Sequence, residues 1–155
     1  MEMEKMKNVF NPNDVKEFIG RINKLTPASQ GLWGKMSVGQ MLAHLCVSYE
    51  MIYENKHPKP PALMRLLFKL LVKKGVVNEV TYKHSIRTAP AFIITDQKDF
   101  EKEKTRLINY INKTLELGEN HFDNKESLSF GHLTKTEWNN MLSKHLDHHL
   151  SQFGV

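Results

Sequence analysis

Residues 138–155 (WNNMLSKHLDHHLSQFGV) carry the clearest periodic pattern in the chain. Apolar and histidine side chains recur there at the spacing of one helix face, which predicts a helix with that face towards a core. The face consists of Trp138, Met141, Leu142, His145, Leu146, His149, Leu150 and Phe153. Two histidines therefore lie in the middle of an otherwise apolar stripe.

His145 and His149 lie one helical turn apart and about 40° apart around the axis, so both imidazoles can point at the same atom. The spacing H-x-x-x-H on one face is a common way for a helix to offer two nitrogens to a metal ion. His148 lies roughly 100° from the centre of the stripe, which predicts a position on the rim. From the spacing alone, two partly buried histidines bonded to backbone or water remain an equal alternative.

A third histidine, His44, lies on a second strongly patterned helix. Ser37-Val-Gly-Gln40 forms a capping box that predicts a helix from there to about Asn55. A purely structural helix would usually have leucines beside His44. The strip of the helix surface around His44 is instead half polar, so we expect it to line a wet internal cavity. Within about 60° of His44 the strip contains Ser37, Gln40, Met41, Ser48, Met51 and Asn55.

The composition of the 155-residue chain excludes several classes of protein. The single cysteine, Cys46, rules out an internal disulfide framework and a cysteine-based zinc site, and it fits a reducing cytoplasm. It lies about 200° from His44 on the helix, so we expect a buried structural thiol. The N-terminus has no apolar signal-peptide core, and Arg65 and Lys69 interrupt the most apolar stretch, so we expect no membrane span.

The positive charge is concentrated in residues 56–87, which carry a net +7 in a chain of net +5. Such a block suits an anionic ligand, a nucleic-acid backbone or a membrane surface, although a charged run is more often a solvated face. No aromatic interleaving or nucleic-acid-binding motif accompanies it, so we expect no nucleic-acid partner. The cations are Lys56, Lys59, Arg65, Lys69, Lys73, Lys74, Lys83 and Arg87, and the acid is Glu79.

The remaining patterns predict an all-α single domain over residues 1–155. Four principal helices, joined by one long crossover and a short extra helix, most simply form a four-helix bundle, whose core is a usual place for metal sites. In chain order we expect a helix over 12–25 and then a loop over 28–36 whose Trp33 plugs the core. After the second helix we expect a short basic helix over 64–74 that covers the bundle and ends at Gly75, followed by an extended crossover over 76–95. The rest should be a helix from Asp96 to about Leu117, a polar loop over 120–133, and a capping box at Thr134–Glu137 that begins the last helix.

Three motifs resemble the DinB/YfiT-like superfamily and, within it, the uncharacterised bacterial family DUF1569. They are M-x-x-x-Q-M-L-x-H-L (36–45), F-G-H-L-T-x-x-E-W (130–138) and K-H-L-D-H-H-L-x-Q-F-G-V (144–155). The resemblance implies a DinB-like four-helix bundle with an open divalent-metal site of three histidines. Carried over, these are His44, His145 and His149, and the family's H-x-x-Q falls on His149 and Gln152.

The resemblance also implies a metal-dependent, thiol-dependent transferase, or a hydrolase, acting on a small molecule, for which an anionic substrate is one option. Imidazole ligands make zinc the first expectation, with nickel, iron or copper as alternatives, and a low-molecular-weight thiol is the expected cofactor. Two other hypotheses stay open: a non-catalytic bundle, which could be a homodimer, and a membrane-surface or nucleic-acid adaptor that uses residues 56–87.

The sequence also suggests the groups around the metal. Ser48, Gln40 and Gln152 share faces with the histidines and are candidate hydrogen-bond partners of the ligand rings. Asp147 and Glu50 lie off those faces. A general base would therefore come from the loops, and the candidates there are Glu137, His132 and His84.

Overall fold

The computed structural model describes residues 5–84 and 88–155, so Arg87 of the basic segment lies outside the described residues. Most of the described residues are helical, with one small hairpin, which confirms the all-α class. The helices are α1 (Pro12–Asn23), α2 (Val38–Tyr53), α3 (Ala62–Leu71), α4 (Lys73–Val77), a 3-10 turn (Pro90–Phe92), α5 (Phe100–Leu117), α6 (Glu119–Phe122) and α7 (Lys135–Gln152), and the strands are β1 (Lys125–Ser127) and β2 (Gly131–Leu133).

Helix α2 is the central element, because every residue from Met41 to Val47 is buried. Its N-terminus is the predicted capping box. The Ser37 backbone N–H donates to Gln40 Oε1 at 3.0 Å, and the Ser37 hydroxyl accepts from the Gln40 backbone N–H at 3.2 Å. The helix packs against both α5 and α7, and α1 also packs against those two helices. Two backbone N–H groups at this one helix end are thus satisfied locally, and the apolar sides of the helices meet in one core.

The core draws its side chains from four helices and the segments that flank them. Trp138 is buried in a smaller second cluster with Phe122 and Leu133, as its place on the apolar face of α7 predicts. The main cluster contains Val15, Phe18 and Ile22 of α1, Val38, Met41, Leu42, Leu45, Cys46 and Tyr49 of α2, Leu107 and Ile111 of α5, and Leu142, Leu146 and Leu150 of α7.

Two predicted boundaries are wrong for local reasons. Helix α5 begins at Phe100 with Asp99 as its N-cap, whereas Asp96 forms an ion pair with Lys98. Both aspartates are suitable caps, and the first apolar residue that reaches the core is Phe100. Gly75 does not end the basic helix but lies inside α4.

The predicted polar loop over 120–133 contains α6 and an antiparallel hairpin, in which Ser127 pairs with Gly131. The Ser127 hydroxyl accepts from the Phe130 amide at 3.0 Å and donates to the Gly131 carbonyl at 2.8 Å, which closes the turn. Gly131 has a φ of 72°, a conformation that favours glycine. Strands of three residues are too short to show a period of two in the sequence.

Helix α3 does not cover the bundle with its leucines, contrary to the prediction. Leu63, Leu66, Leu67, Leu70 and Leu71 are all exposed, whereas Arg65 faces the protein and donates to Glu126 of β1 at 2.7 Å. Among residues 5–84 and 88–155, none of the helices has the length and hydropathy that a membrane crossing requires.

A buried lysine of α7 attaches the crossover to the rest of the molecule. Lys144 Nζ donates to the carbonyl of Gly75 at 2.7 Å and to the carbonyl and side chain of Asn78 at 3.0 and 2.9 Å. Burial lowers the pKa of this ammonium group to about 8, but three acceptors compensate its lost hydration. The Tyr82 ring lies 4.6 Å from the same nitrogen, so the residues after α4 run along α7.

Two helical glycines give opposite predictions for substitution by alanine. A Cβ at Gly39 of α2 would lie 2.6 Å from the Lys98 carbonyl oxygen, whereas a Cβ at Gly20 of α1 meets nothing within 4 Å. We expect Gly39→Ala to lower the free energy of unfolding by about 1–3 kcal/mol through this clash. Gly20→Ala should raise it by about 0.5–1 kcal/mol, because alanine is the better helix former. Urea denaturation of both variants tests the packing of α2, and a stabilised Gly39→Ala variant would contradict it.

Candidate metal centre

The three predicted histidines converge in the folded chain. His44 comes from α2, and His145 and His149 come from successive turns of α7. One ligand atom from each lies within 4.8 Å of the others, and the Nε2 atoms of His44 and His145 are 2.9 Å apart. His44 and His149 are only 5% and 8% exposed. The packing of α2 against α7 therefore creates a compact, largely dehydrated group of three imidazoles.

Each ring is held by a hydrogen bond at the nitrogen that faces away from the group. The partners are a backbone carbonyl, a hydroxyl and a side-chain amide, so all three rings are oriented by the protein itself. The pairs are His44 Nδ1 with Phe92 O at 2.8 Å, His145 Nδ1 with Ser48 Oγ at 3.0 Å, and His149 Nδ1 with Gln152 Oε1 at 2.7 Å.

Two of these bonds fix the tautomer of their ring. The Phe92 carbonyl can only accept, so His44 Nδ1 donates and a neutral His44 has a lone pair on Nε2. The Gln152 amide nitrogen donates to the Trp33 carbonyl at 2.8 Å, which turns Oε1 towards His149 Nδ1 as an acceptor. His149 Nε2 therefore also carries a lone pair. Both lone pairs are available to a cation.

The tautomer of His145 depends on the Ser48 hydroxyl, which can either donate or accept. If Ser48 accepts, His145 Nε2 carries a lone pair that faces the lone pair of His44 at 2.9 Å, and this arrangement requires a cation. If Ser48 donates, His145 Nε2 carries the proton and donates it to His44. The orientation of the Ser48 hydroxyl thus determines whether the three histidines can bind a metal ion or whether His145 and His44 form a neutral hydrogen-bonded pair.

Burial keeps the three imidazoles neutral. It lowers the pKa of His44 despite the opposing hydrogen bond to Phe92, and it lowers the pKa of His145 well below its ordinary value. Burial and the neighbouring His44 lower the pKa of His149 to about 3. Neutral imidazole is the form that binds metal ions, so the ligands need no deprotonation near pH 7.

The donor set fits a divalent transition metal. Nitrogens bound to one tetrahedral zinc lie roughly 3.3 Å apart, because each Zn–N bond is about 2.0–2.1 Å long. The Nε2 atoms of His44 and His145 are close to that spacing at 2.9 Å, and all three donors lie within 4.8 Å of one another. Cys46 does not contribute: its Sγ faces the Glu103 carbonyl at 3.8 Å, and burial raises the pKa of its thiol to about 12, as expected for a structural thiol. Imidazoles alone suit zinc, nickel, copper or iron.

Aromatic side chains lie near the three histidines. Trp33 is half-buried and stacks on His84 with ring centroids 3.6 Å apart, so the prediction that Trp33 plugs the core is wrong. His148 lies edge-on to Trp33 at 5.8 Å and to Tyr82 at 5.6 Å, in the predicted rim position. Phe92 contacts the other side of the group, with its ring 5.4 Å from that of His44.

Most of the other polar candidates have partners elsewhere. Only Ser48 and Gln152, of the three predicted partners of the ligand rings, bond to a histidine of the group, because Gln40 is used in its capping box and also donates to the Asp96 carbonyl. Of the candidate bases, Glu137 is held in the second capping box and His132 is bonded to the Asn124 carbonyl. Asp147 and Glu50, which the sequence predicts to lie off the histidine faces, are paired with Arg21 and with His57, Lys56 and Arg106 respectively.

Sequence reasoning missed the two backbone carbonyls of the site, those of Phe92 and Trp33. The only signal was the pair of glycines around Trp33. Gly34 has a φ of 83°, and a Cβ there would lie 2.5 Å from the Gln152 amide nitrogen. Glycine at this position therefore lets the loop approach the amide that orients His149.

The comparisons with known proteins identify a family and no activity. No curated protein and no solved structure matches the chain. A family model described as "Protein of unknown function (DUF1569)" matches residues 5–154, which include the three histidines and their hydrogen-bond partners. A match over nearly the whole sequence shows that the chain belongs to the DUF1569 family.

Proposed function

We propose that His44, His145 and His149 bind one divalent transition metal ion, most readily zinc, through their Nε2 atoms. The observation that carries this proposal is the set of three hydrogen bonds at Nδ1, which directs the Nε2 side of every ring to a common centre. Within the described residues, these three side chains form a cluster of possible metal ligands. Three protein ligands are typical of a catalytic zinc site, in which a further position is left for water or substrate.

The activity we propose is metal-dependent chemistry on a small molecule, either hydrolysis or transfer to a low-molecular-weight thiol. A metal in such a site supplies Lewis acidity, which lowers the pKa of water to about 7 or holds a thiol as its thiolate. The chain's own residues orient the ligand rings, and the Phe92 ring, which contacts His44 and His145, shields part of the group from water. His84 and His148 lie at the rim, with their ring centroids 6.3 Å apart.

We also propose that α1, α2, α5 and α7 form a DinB-like four-helix bundle in a single domain. The contacts of α1 and of α2 with both α5 and α7 support this arrangement, because they place each helix beside two others. The metal ligands would then lie on two adjacent helices of the bundle, which is a usual origin of ligands in such folds.

The first prediction concerns metal content. We expect tag-free protein, prepared without chelator and incubated with zinc, to hold about one zinc ion per chain, as a three-histidine site requires. His44→Ala, His145→Ala and His149→Ala should each lose most of it, because each removes one of three ligands. Elemental analysis of the gel-filtered proteins measures the stoichiometry.

His148→Ala is the matched control, since it removes a neighbouring imidazole of the same helix outside the group, and it should keep its zinc. Circular dichroism of each variant establishes that the helices remain. Unchanged zinc content in the first three variants, or a wild-type protein that takes up no zinc, would refute the assignment.

The second prediction concerns Gln152, which holds a ligand ring without binding metal. Gln152→Leu removes the acceptor of His149 Nδ1, and we expect the affinity for zinc to fall about 10–100-fold, with the stoichiometry at saturation unchanged. Competition with a chromophoric chelator measures the dissociation constant. Gln97→Leu, at an exposed glutamine, is the control and should bind as the wild type does. Equal affinities for the two variants would show that the hydrogen bond does not matter.

The third prediction concerns the open position and distinguishes the two reactions. Cobalt(II) in the site should show visible absorption, and a small thiol should add a near-ultraviolet sulfur-to-cobalt charge-transfer band if the protein is a thiol-dependent transferase. A visible spectrum that changes between about pH 6 and 8 without a thiol response would instead indicate activated water and a hydrolase. No response to either treatment would show a closed site and contradict a catalytic role.

A further inference from the structure

Helix α3 exposes its apolar side to solvent, the reverse of the usual arrangement. We call the five leucines of that side the leucine face; they lie within about 140° of arc on the helix. Their exposed fractions are 68% for Leu63, 51% for Leu66, 40% for Leu67, 67% for Leu70 and 79% for Leu71. A contiguous apolar surface of this kind marks an interaction site more often than isolated exposed leucines do.

The opposite side of α3 is the side that contacts the protein. Arg65 donates to Glu126 of the hairpin at 2.7 Å, and Lys59 reaches the same carboxylate at 3.0 Å. Phe68, on the same side as Arg65, is half-buried. The next helix, α4, is fixed by the hydrogen bonds of Lys144. The outward direction of the leucines is therefore set by specific contacts on the inner side.

The segment that carries the leucine face contributes only positive charges. Residues 57–78 contain five cations and no acidic residue. Lys59 and Arg65 share Glu126, and Lys73 is paired with Glu137 of α7. Lys69 of α3 and Lys74 of α4 are both exposed, so they add positive charge to the segment that carries the leucine face.

We propose that the leucine face, together with Lys69 and Lys74, docks on the surface of an anionic lipid bilayer. A short helix with leucines on one side and lysines or arginines beside them has the composition of a helix that lies in the membrane interface. A second copy of the chain fits less well, since a twofold interface would place the same cations against each other. This docking is independent of the proposed metal function, because the metal ligands lie on α2 and α7.

The helix is about 15 Å long, so it anchors the protein reversibly by shallow insertion of its leucines. The electrostatic contribution should weaken as salt screens the attraction between the lysines and the lipid headgroups. Binding should therefore require both anionic lipid and exposed leucines, a combination that neither a purely electrostatic nor a purely apolar interaction shows.

Sedimentation of the full chain with lipid vesicles tests the proposal. One set of vesicles contains phosphatidylcholine alone, and the other also contains about a third phosphatidylserine, which supplies the negative surface potential. We expect the wild-type chain to sediment with the anionic vesicles, to bind the neutral ones far more weakly, and to be released from the anionic ones by added salt.

Two variants and two matched controls separate the contributions. Leu70→Gln/Leu71→Gln should lower partitioning about tenfold per leucine, and Lys69→Glu/Lys74→Glu should lower it at least thirtyfold, roughly the value of two interfacial cations. Leu117→Gln, at an exposed leucine of α5, and Lys16→Glu/Lys102→Glu, with the same change in net charge on α1 and α5, should bind as the wild type does.

Three results would overturn the proposal. The first is a wild-type chain that stays in the supernatant with anionic vesicles, and the second is equal loss of binding in the controls and the α3 variants. The third is a wild-type dimer that Leu70→Gln/Leu71→Gln converts to a monomer in sedimentation velocity, which would assign the leucine face to a second copy.

Discussion

The hydrogen bond from His44 Nδ1 to the Phe92 carbonyl joins the central helix to the long crossover, and the candidate site depends on it. It fixes which nitrogen of His44 carries the proton, and it holds the Phe92 ring against the histidine group. The bonds of Lys144 to Gly75 and Asn78 attach an earlier part of the same crossover to α7. The crossover is thus fastened to both helices that supply ligands, and its aromatic side chains lie at the site.

Helices α2 and α7 could be predicted because their signals are local. Each begins with a capping box, and each carries an apolar stripe long enough to show the helical period. The hairpin could not be predicted because its strands have three residues each. The orientation of α3 was predicted wrongly for a different reason: periodicity shows which side of a helix is apolar, but it does not show whether the protein lies on that side.

The residues of the site likewise divide into those on regular helix faces, which could be predicted, and those in irregular segments, which could not. The three histidines, Ser48 and Gln152 could be inferred from positions on two helix faces, and the structure brings them together. Gln40 shares a face with His44, yet its side chain is used by the helix N-terminus. The carbonyls of Phe92 and Trp33 belong to irregular segments distant in sequence, and every residue type has such a carbonyl. Apart from the glycines around Trp33, the sequence therefore has no pattern that identifies them.

The rotating hydroxyl of Ser48 has a consequence for how the protein and a metal ion come together. Without metal, His145 can donate its Nε2 proton to His44, so the buried group is neutral and satisfied. If the proposed site holds a metal ion, His145 carries its proton on Nδ1 and donates a hydrogen bond to the Ser48 hydroxyl. The exchange is a change of tautomer with no net release of protons from the rings. Small zinc domains fold only when they bind metal, whereas the proposed site of this chain would be formed before any ion binds.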